Sequence, residues 1–109
     1  MTHIGTELQK TPAFQRNSAR MSELLAALRV REGAVKEGGG AEAAARHRAR
    51  GKLTARERIG MLIDPGSSFL ELGLFAAYEM YQEYGGAPSS GTVCGIGAVH
   101  GRDTVILAN

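Results

Sequence analysis

Tryptophan is absent, aromatic residues make up 6% of the chain, and there is one cysteine, Cys94. A single thiol excludes an intrachain disulfide and fits a reducing compartment. No apolar run approaches the ~18 residues that a membrane-spanning helix needs. The first twenty residues contain no apolar stretch of the kind a secretory signal carries. These absences predict a soluble intracellular protein. Histidine is also scarce, and none of His3, His47 and His100 stands at short metal-ligand spacing from another or from Cys94. No metal site is therefore expected. Cys94 lies within an apolar, strand-like stretch with no nearby histidine, the setting of a small buried hydrophobe rather than a nucleophile.

Charge is plentiful but unevenly spread. Residues 1–58 hold twelve Lys or Arg and six Glu, a net +6; residues 59–109 hold one Arg and five acids, a net −4. Such polarity points to an anionic partner for the first half or to contact between the halves. The basic excess peaks in Arg46-His47-Arg48-Ala49-Arg50-Gly51-Lys52-Leu53-Thr54-Ala55-Arg56-Glu57-Arg58.

Residues 1–17 show no period and are expected to be a flexible tail. From 17 to 37, Met21, Leu24, Leu25 and Leu28 fall at i, i+3, i+4 and i+7, one face of a helix that Ser18 or Ser22 would cap. Gly38, Gly39 and Gly40 end it. An Ala-rich helix follows over 41–50, with Gly51 as its terminating glycine. Thr54 and Glu57 form a capping box that opens a third helix over 55–63, with Ile59, Leu62 and Ile63 facing inward. Asp64-Pro65-Gly66 stops it. The helical segment thus spans 18–66.

Strands take over from 67 to 109. Alternation over 69–75 places Leu70, Leu72 and Leu74 on one face, and 79–91 is a loop. A hairpin joins 92–99 to 104–108, with Gly101-Arg102 as its central turn residues. Gly95 and Gly97 leave a bare strip that backbone or ligand can approach closely. Tyr78, Tyr81 and Tyr84 recur at a spacing that forms a short aromatic face, the mark of packing rather than catalysis. The chain stops within an apolar β-branched strand at Asn109, which suggests a piece of a longer domain.

The basic run can be a solvated helix surface, since charge runs usually sit in water. It can also bind an anion. Arg offers a planar fork that matches phosphate oxygens, Lys a mobile point charge, and a helix N-terminus its free amides. Nucleic acid is a rival ligand, although no aromatic residue interleaves the basic ones to stack on bases. A structural docking arm, with the Leu stripe of 21–37 laid on a partner, is a third reading.

The blocks Ala45-Arg46-His47, Arg50-Gly51-Lys52-Leu53-Thr54-Ala55-Arg56-Glu57-Arg58-Ile59, Leu62-Ile63-Asp64-Pro65-Gly66-Ser67 and Phe69-Leu70-Glu71 resemble the N-terminal part of biotin-dependent acyl-CoA carboxylase β subunits. The likeness covers about residues 20–109. Ala45-Arg46-His47, Gly95-Ile96-Gly97 and Ala108-Asn109 most resemble the methylcrotonoyl-CoA branch, with propionyl-CoA and geranyl-CoA enzymes as alternatives. The resemblance implies an α/β fold: N-terminal helices, then the first strands of a crotonase-like ββα spiral, truncated. It implies a carboxyltransferase that moves carboxyl from carboxybiotin, carried on a partner biotin carboxylase/biotin carrier α subunit, to an acyl-CoA. Backbone amides stabilise the enolate and ureido oxyanions in that family, on glycine-rich segments later in the chain, so no catalytic residue is expected here. It also implies a β-subunit hexamer, in a bacterial cytoplasm or a mitochondrial matrix. Within that frame Arg50, Lys52 and Arg56 are the expected CoA-phosphate contacts, followed by Arg46 and His47.

Overall fold

The computed structural model describes residue 5 and residues 8–109. The elements are α1 (Pro12–Lys36), α2 (Ala41–Ala49), α3 (Ala55–Leu62), β1 (Phe69–Leu72), β2 (Val93–Val99) and β3 (Arg102–Ala108). They fall into two compact units, Met1–Arg31 and Glu32–Asn109, with α1 running through the boundary. This α/β order, helices first and strands second, is the predicted one.

Helix α1 begins five residues before the expected position 17. Thr11 supplies the cap: its Oγ1 accepts from Phe14 N at 3.2 Å. Pro12 fills the first helical position, where its missing N–H costs nothing. Ser18 and Ser22 are therefore interior residues, and Ser22 Oγ donates to Ser18 O at 3.0 Å. Met21, Leu24, Leu25 and Leu28 share a face as predicted, yet all four are exposed. Only Val35, near the end of α1, is buried.

The three strands form one antiparallel sheet in the order β1-β2-β3. Phe69 faces Gly97, Glu71 faces Gly95, and Gly95 in turn faces Ile106. Helix α3 packs on this side. Ile59, Val93 and Ile106 make the core, flanked by Ala55, Ile63, Phe69, Val99 and Ala108. The bare strip of β2 is filled by side chains: a Cβ on Gly95 would lie 2.3 Å from Phe69 Cζ, and one on Gly97 would lie 2.7 Å from Ile63 Cγ2.

The opposite sheet face carries Leu70, Leu72, Ile96, Val105 and Leu107. Leu70 is 62% exposed and Leu107 72%. The leucine alternation in β1 thus marks the uncovered face, while Phe69 and Glu71 point to the core. The expected strand over 69–75 also stops at Leu72, because Gly73 turns the chain at φ 68°. Leu62, predicted to face inward, is exposed. It belongs to the last turn of α3, one step round the helix from Ile59 and Ile63.

The β2–β3 turn is centred on His100 and Gly101 rather than on Gly101 and Arg102. Both central residues have positive φ, 51° and 73°. That is a type I′ geometry, whose twist matches the strands. Asp64 secures it, accepting from His100 N at 2.8 Å and Gly101 N at 2.7 Å. These two bonds favour the carboxylate and hold Asp64 below its ordinary pKa, the Gly101 bond contributing most.

Candidate anion cleft

The end of α1, the α2–α3 joint and the 86–93 segment enclose an open cleft of about 1360 Å³. The joint follows from local sequence. Gly51 takes φ 73° after α2, and its N–H reaches Arg48 O at 2.9 Å. His47 closes the bend, with Nε2 3.2 Å from Leu53 O, a contact that requires a proton on Nε2. Then Thr54 caps α3: Glu57 N donates to its Oγ1 at 3.3 Å, and Glu57 Oε2 accepts from Thr54 N at 2.7 Å. Both halves of the predicted capping box are present.

Glu57 Oε1 also accepts from Arg48 Nε at 2.7 Å. The Thr54 amide first, then Arg48, holds this carboxyl below its usual pKa. A carboxylate therefore already sits at the positive end of α3. The helix amides expected to meet a ligand are partly answered from within the chain.

Of the five residues singled out from sequence, His47, Lys52 and Arg56 line the cleft, while Arg46 and Arg50 do not. Arg46 pairs instead with Glu42 one helical turn back. Arg50 is exposed at the end of α2. Arg56 is bound to Glu71 through both Nη atoms at 2.7 Å. Lys36 and Arg58 were not singled out from sequence, yet both line the cleft. Among the described residues, the side chains of Lys36, Lys52 and Arg58 form no ion pair, so all three keep their charge available. The pattern of the Leu stripe could not place Lys36, since only the fold brings the end of α1 beside the α2–α3 joint.

The far wall has a different chemistry. Around Pro88 the chain makes a tight turn in which Ser89 and Ser90 hold left-handed φ of 51°. Non-glycine residues pay for such backbone with about 1–3 kcal/mol each. Ser89 is buried, with Oγ donating to Leu74 O at 3.0 Å, which anchors the turn. The wall presents amides and small hydroxyls and no charge.

The tyrosines of the preceding loop do not form a joint face. Tyr84 is 82% exposed, and only Tyr78 stacks, edge-on to Phe75 with centroids 5.3 Å apart. His3 lies outside the described residues. The His47 ring is engaged in the joint, His100 gives its backbone N–H to Asp64 in the hairpin turn, and Cys94 is half-buried within β2.

A cleft in which Lys36, Lys52 and Arg58 outnumber Glu37, the one lining carboxylate without an ion pair among the described residues, suits an anion. The chain belongs to the carboxyl transferase domain family, whose model matches residues 46–109. It is 48% identical over 101 residues to the mitochondrial methylcrotonoyl-CoA carboxylase beta chain of Arabidopsis thaliana, covering 93% of this chain and 17% of that protein. Among solved structures it resembles the geranyl-CoA carboxylase beta subunit of P. aeruginosa, with TM-score 0.79 and 33% identity over 95% of this chain and 19% of that one. It also resembles transcarboxylase 12S, solved as a hexamer with hydrolysed methylmalonyl-CoA bound, with TM-score 0.73 and 27% identity over 95% of this chain and 19% of that one. The chain thus spans about a fifth of the length of these relatives. The α/β, crotonase-like fold expected from the sequence agrees with these neighbours, and so does the carboxylase β-subunit resemblance. Among the described residues no helix is long and apolar enough to cross a membrane.

Proposed function

We propose that this chain is the CoA-gripping part of a carboxyltransferase that transfers carboxyl from carboxybiotin to an acyl-CoA of the 3-methylcrotonoyl kind. The observation that carries the reading is the cluster of Lys36, Lys52 and Arg58, unpaired on one cleft beside the joint where the family match begins. The diphosphate and ribose phosphate of CoA are an elongated polyanion, which such a row of cations attracts. Lys52 is the central contact. His47 positions it by fixing the bend on which it sits, and Arg46 and Arg50, outside the lining, add to the field that draws the anion in.

Biotin is assigned no place here. Its ureido ring needs free donors in a dry pocket, whereas this cleft is open and cationic and its capped helix end is already answered. The reacting ends of both substrates belong to other parts of the protein. The methylcrotonoyl preference rests on the 48% identity to the Arabidopsis enzyme, and the hexameric state on the transcarboxylase relative. A matching α partner carries the biotin, in the cytoplasm of a bacterium or the matrix of a mitochondrion.

In the intact protein, Lys52→Ala should raise the KM for acyl-CoA about five- to tenfold with little change in kcat. Loss of one charge-assisted contact at an exposed site is worth about 1–1.5 kcal/mol. Affinity for an acyl-pantetheine lacking the phosphates should stay constant. Equal KM values for wild type and Lys52→Ala would overturn the assignment.

A further inference from the structure

Arg56 holds the least exposed ion pair among the described residues. Its Nη1 and Nη2 lie 2.7 Å from Oε2 and Oε1 of Glu71, and its Nε donates to Lys36 O at 3.1 Å. Side-chain exposure is 29% for Arg56 and 11% for Glu71. One guanidinium thus ties together three segments distant in sequence: the last carbonyls of α1, the first turn of α3 and the middle of β1. The planar fork makes this possible, since its N–H groups leave one plane in fixed directions; an ammonium has no such geometry.

We propose that Arg56 is a positioning residue of the cleft rather than a ligand for the anion. Three of its five N–H groups are spent on Glu71 and Lys36. Its bond to the Lys36 carbonyl fixes where α1 ends, and thereby sets Lys36 and the glycines 38–40 that follow as one wall. Its grip on Glu71 fixes α3, with Arg58 on it, to the sheet. The charge that the ligand meets comes from Lys36, Lys52 and Arg58; Arg56 sets the distance between them. The pair also explains why an acid, Glu71, stands on the core face of β1 opposite Gly95. It is there for Arg56.

This inference rests on the reading of the cleft as a CoA-phosphate site, and the two are separable by the sign of one effect. If Arg56 touched phosphate, removing the negative charge of Glu71 would strengthen anion binding. If Arg56 positions the wall, Glu71→Gln must weaken it. The test measures CoA affinity of the intact protein by calorimetry across a salt series, with thermal unfolding alongside. Arg56→Lys and Glu71→Gln are each expected to weaken CoA about tenfold and to leave the salt dependence unchanged, because no ligand charge contact is lost. Lys52→Ala is expected to flatten the salt dependence. Both clamp variants should lower the unfolding midpoint, and the double variant should lower it by less than the sum of the two, since one interaction is being removed twice.

Tighter CoA binding by Glu71→Gln, or full affinity in Arg56→Lys, would overturn the positioning role. Additive midpoint shifts would do the same. Undetectable CoA binding by the wild-type protein would instead overturn the proposed function, while coupled midpoint shifts would still establish the clamp.

Discussion

The two faces of the sheet have opposite compositions and opposite fates. The face toward α3 contains Phe69, Glu71, Gly95, Gly97, Thr104 and Ile106, an unpromising set that nonetheless holds the core. The other face is almost uniformly apolar, with Leu70, Leu72, Ile96, Val105 and Leu107, and stands largely exposed. Fit rather than hydrophobicity separates them. The Phe69 ring fills the space over Gly95, and Ile63 Cγ2 that over Gly97, because neither glycine has a Cβ. Close packing of that kind needs small residues opposite large ones. The apolar face sets Leu70, Ile96 and Val105 in one row and Leu72, Cys94 and Leu107 in the next, and among the described residues nothing buries them.

That contrast breaks most easily at Gly95. Alanine there would place Cβ 2.6 Å from the Leu70 carbonyl as well as against the Phe69 ring. The ring can swing, but the backbone cannot without loss of the β1–β2 ladder. Gly95→Ala should cost about 3 kcal/mol, the upper range for overpacking, measured as a fall in urea midpoint of this chain. A change within 1 kcal/mol would show that the core face is not close-packed. On the exposed face Val105→Thr, of similar shape, should stay within about 0.5 kcal/mol in the same assay. A cost above 1.5 kcal/mol would mean that Val105 is covered.

The smallest effect concerns the turn that joins β2 to β3. Asp64 is held below its ordinary pKa by its bonds to Gly101 and His100. A depressed folded-state pKa gives stability that is present above the unfolded value and is lost as pH falls through the folded one. The protection of the His100 and Gly101 amides, taken relative to the unstructured exchange rate at each pH, should therefore fall only in acid, below the ordinary carboxylate range. Asp64→Asn should make that protection insensitive to pH in this range. Unaltered acid sensitivity in the variant would assign the effect to another group.

Short-range chemistry was legible in the sequence. Thr54 and Glu57 announce their capping box, Gly51 ends α2, and the 3.6-residue period of Met21, Leu24, Leu25 and Leu28 announces α1. These features depend on residues within one or two turns of each other. What escaped the sequence depends on contacts between distant segments. Leu70 and Leu72 alternate correctly for a strand, but alternation does not say which face is covered. Arg56 had the right charge and position for a phosphate, and only Glu71, fifteen residues on, turns it into a strut. Lys36 lines the cleft only because the fold brings the end of α1 beside the α2–α3 joint. The turn at His100 and Gly101 escaped for a more local reason. A histidine at positive φ is uncommon, and its acceptor, Asp64, is thirty-six residues away.

The capping box of α3 has a kinetic meaning. Because Glu57 already answers the helix terminus, the cationic wall would offer an anion few rigid donors and several long side chains in solvent. Such groups speed encounter more than they prolong residence, since a flexible ammonium holds a hydrated anion briefly. If the cleft holds CoA as proposed, it is built to catch quickly and release readily. Slow dissociation, where the reaction needs it, has to come from contacts at the other end of the substrate.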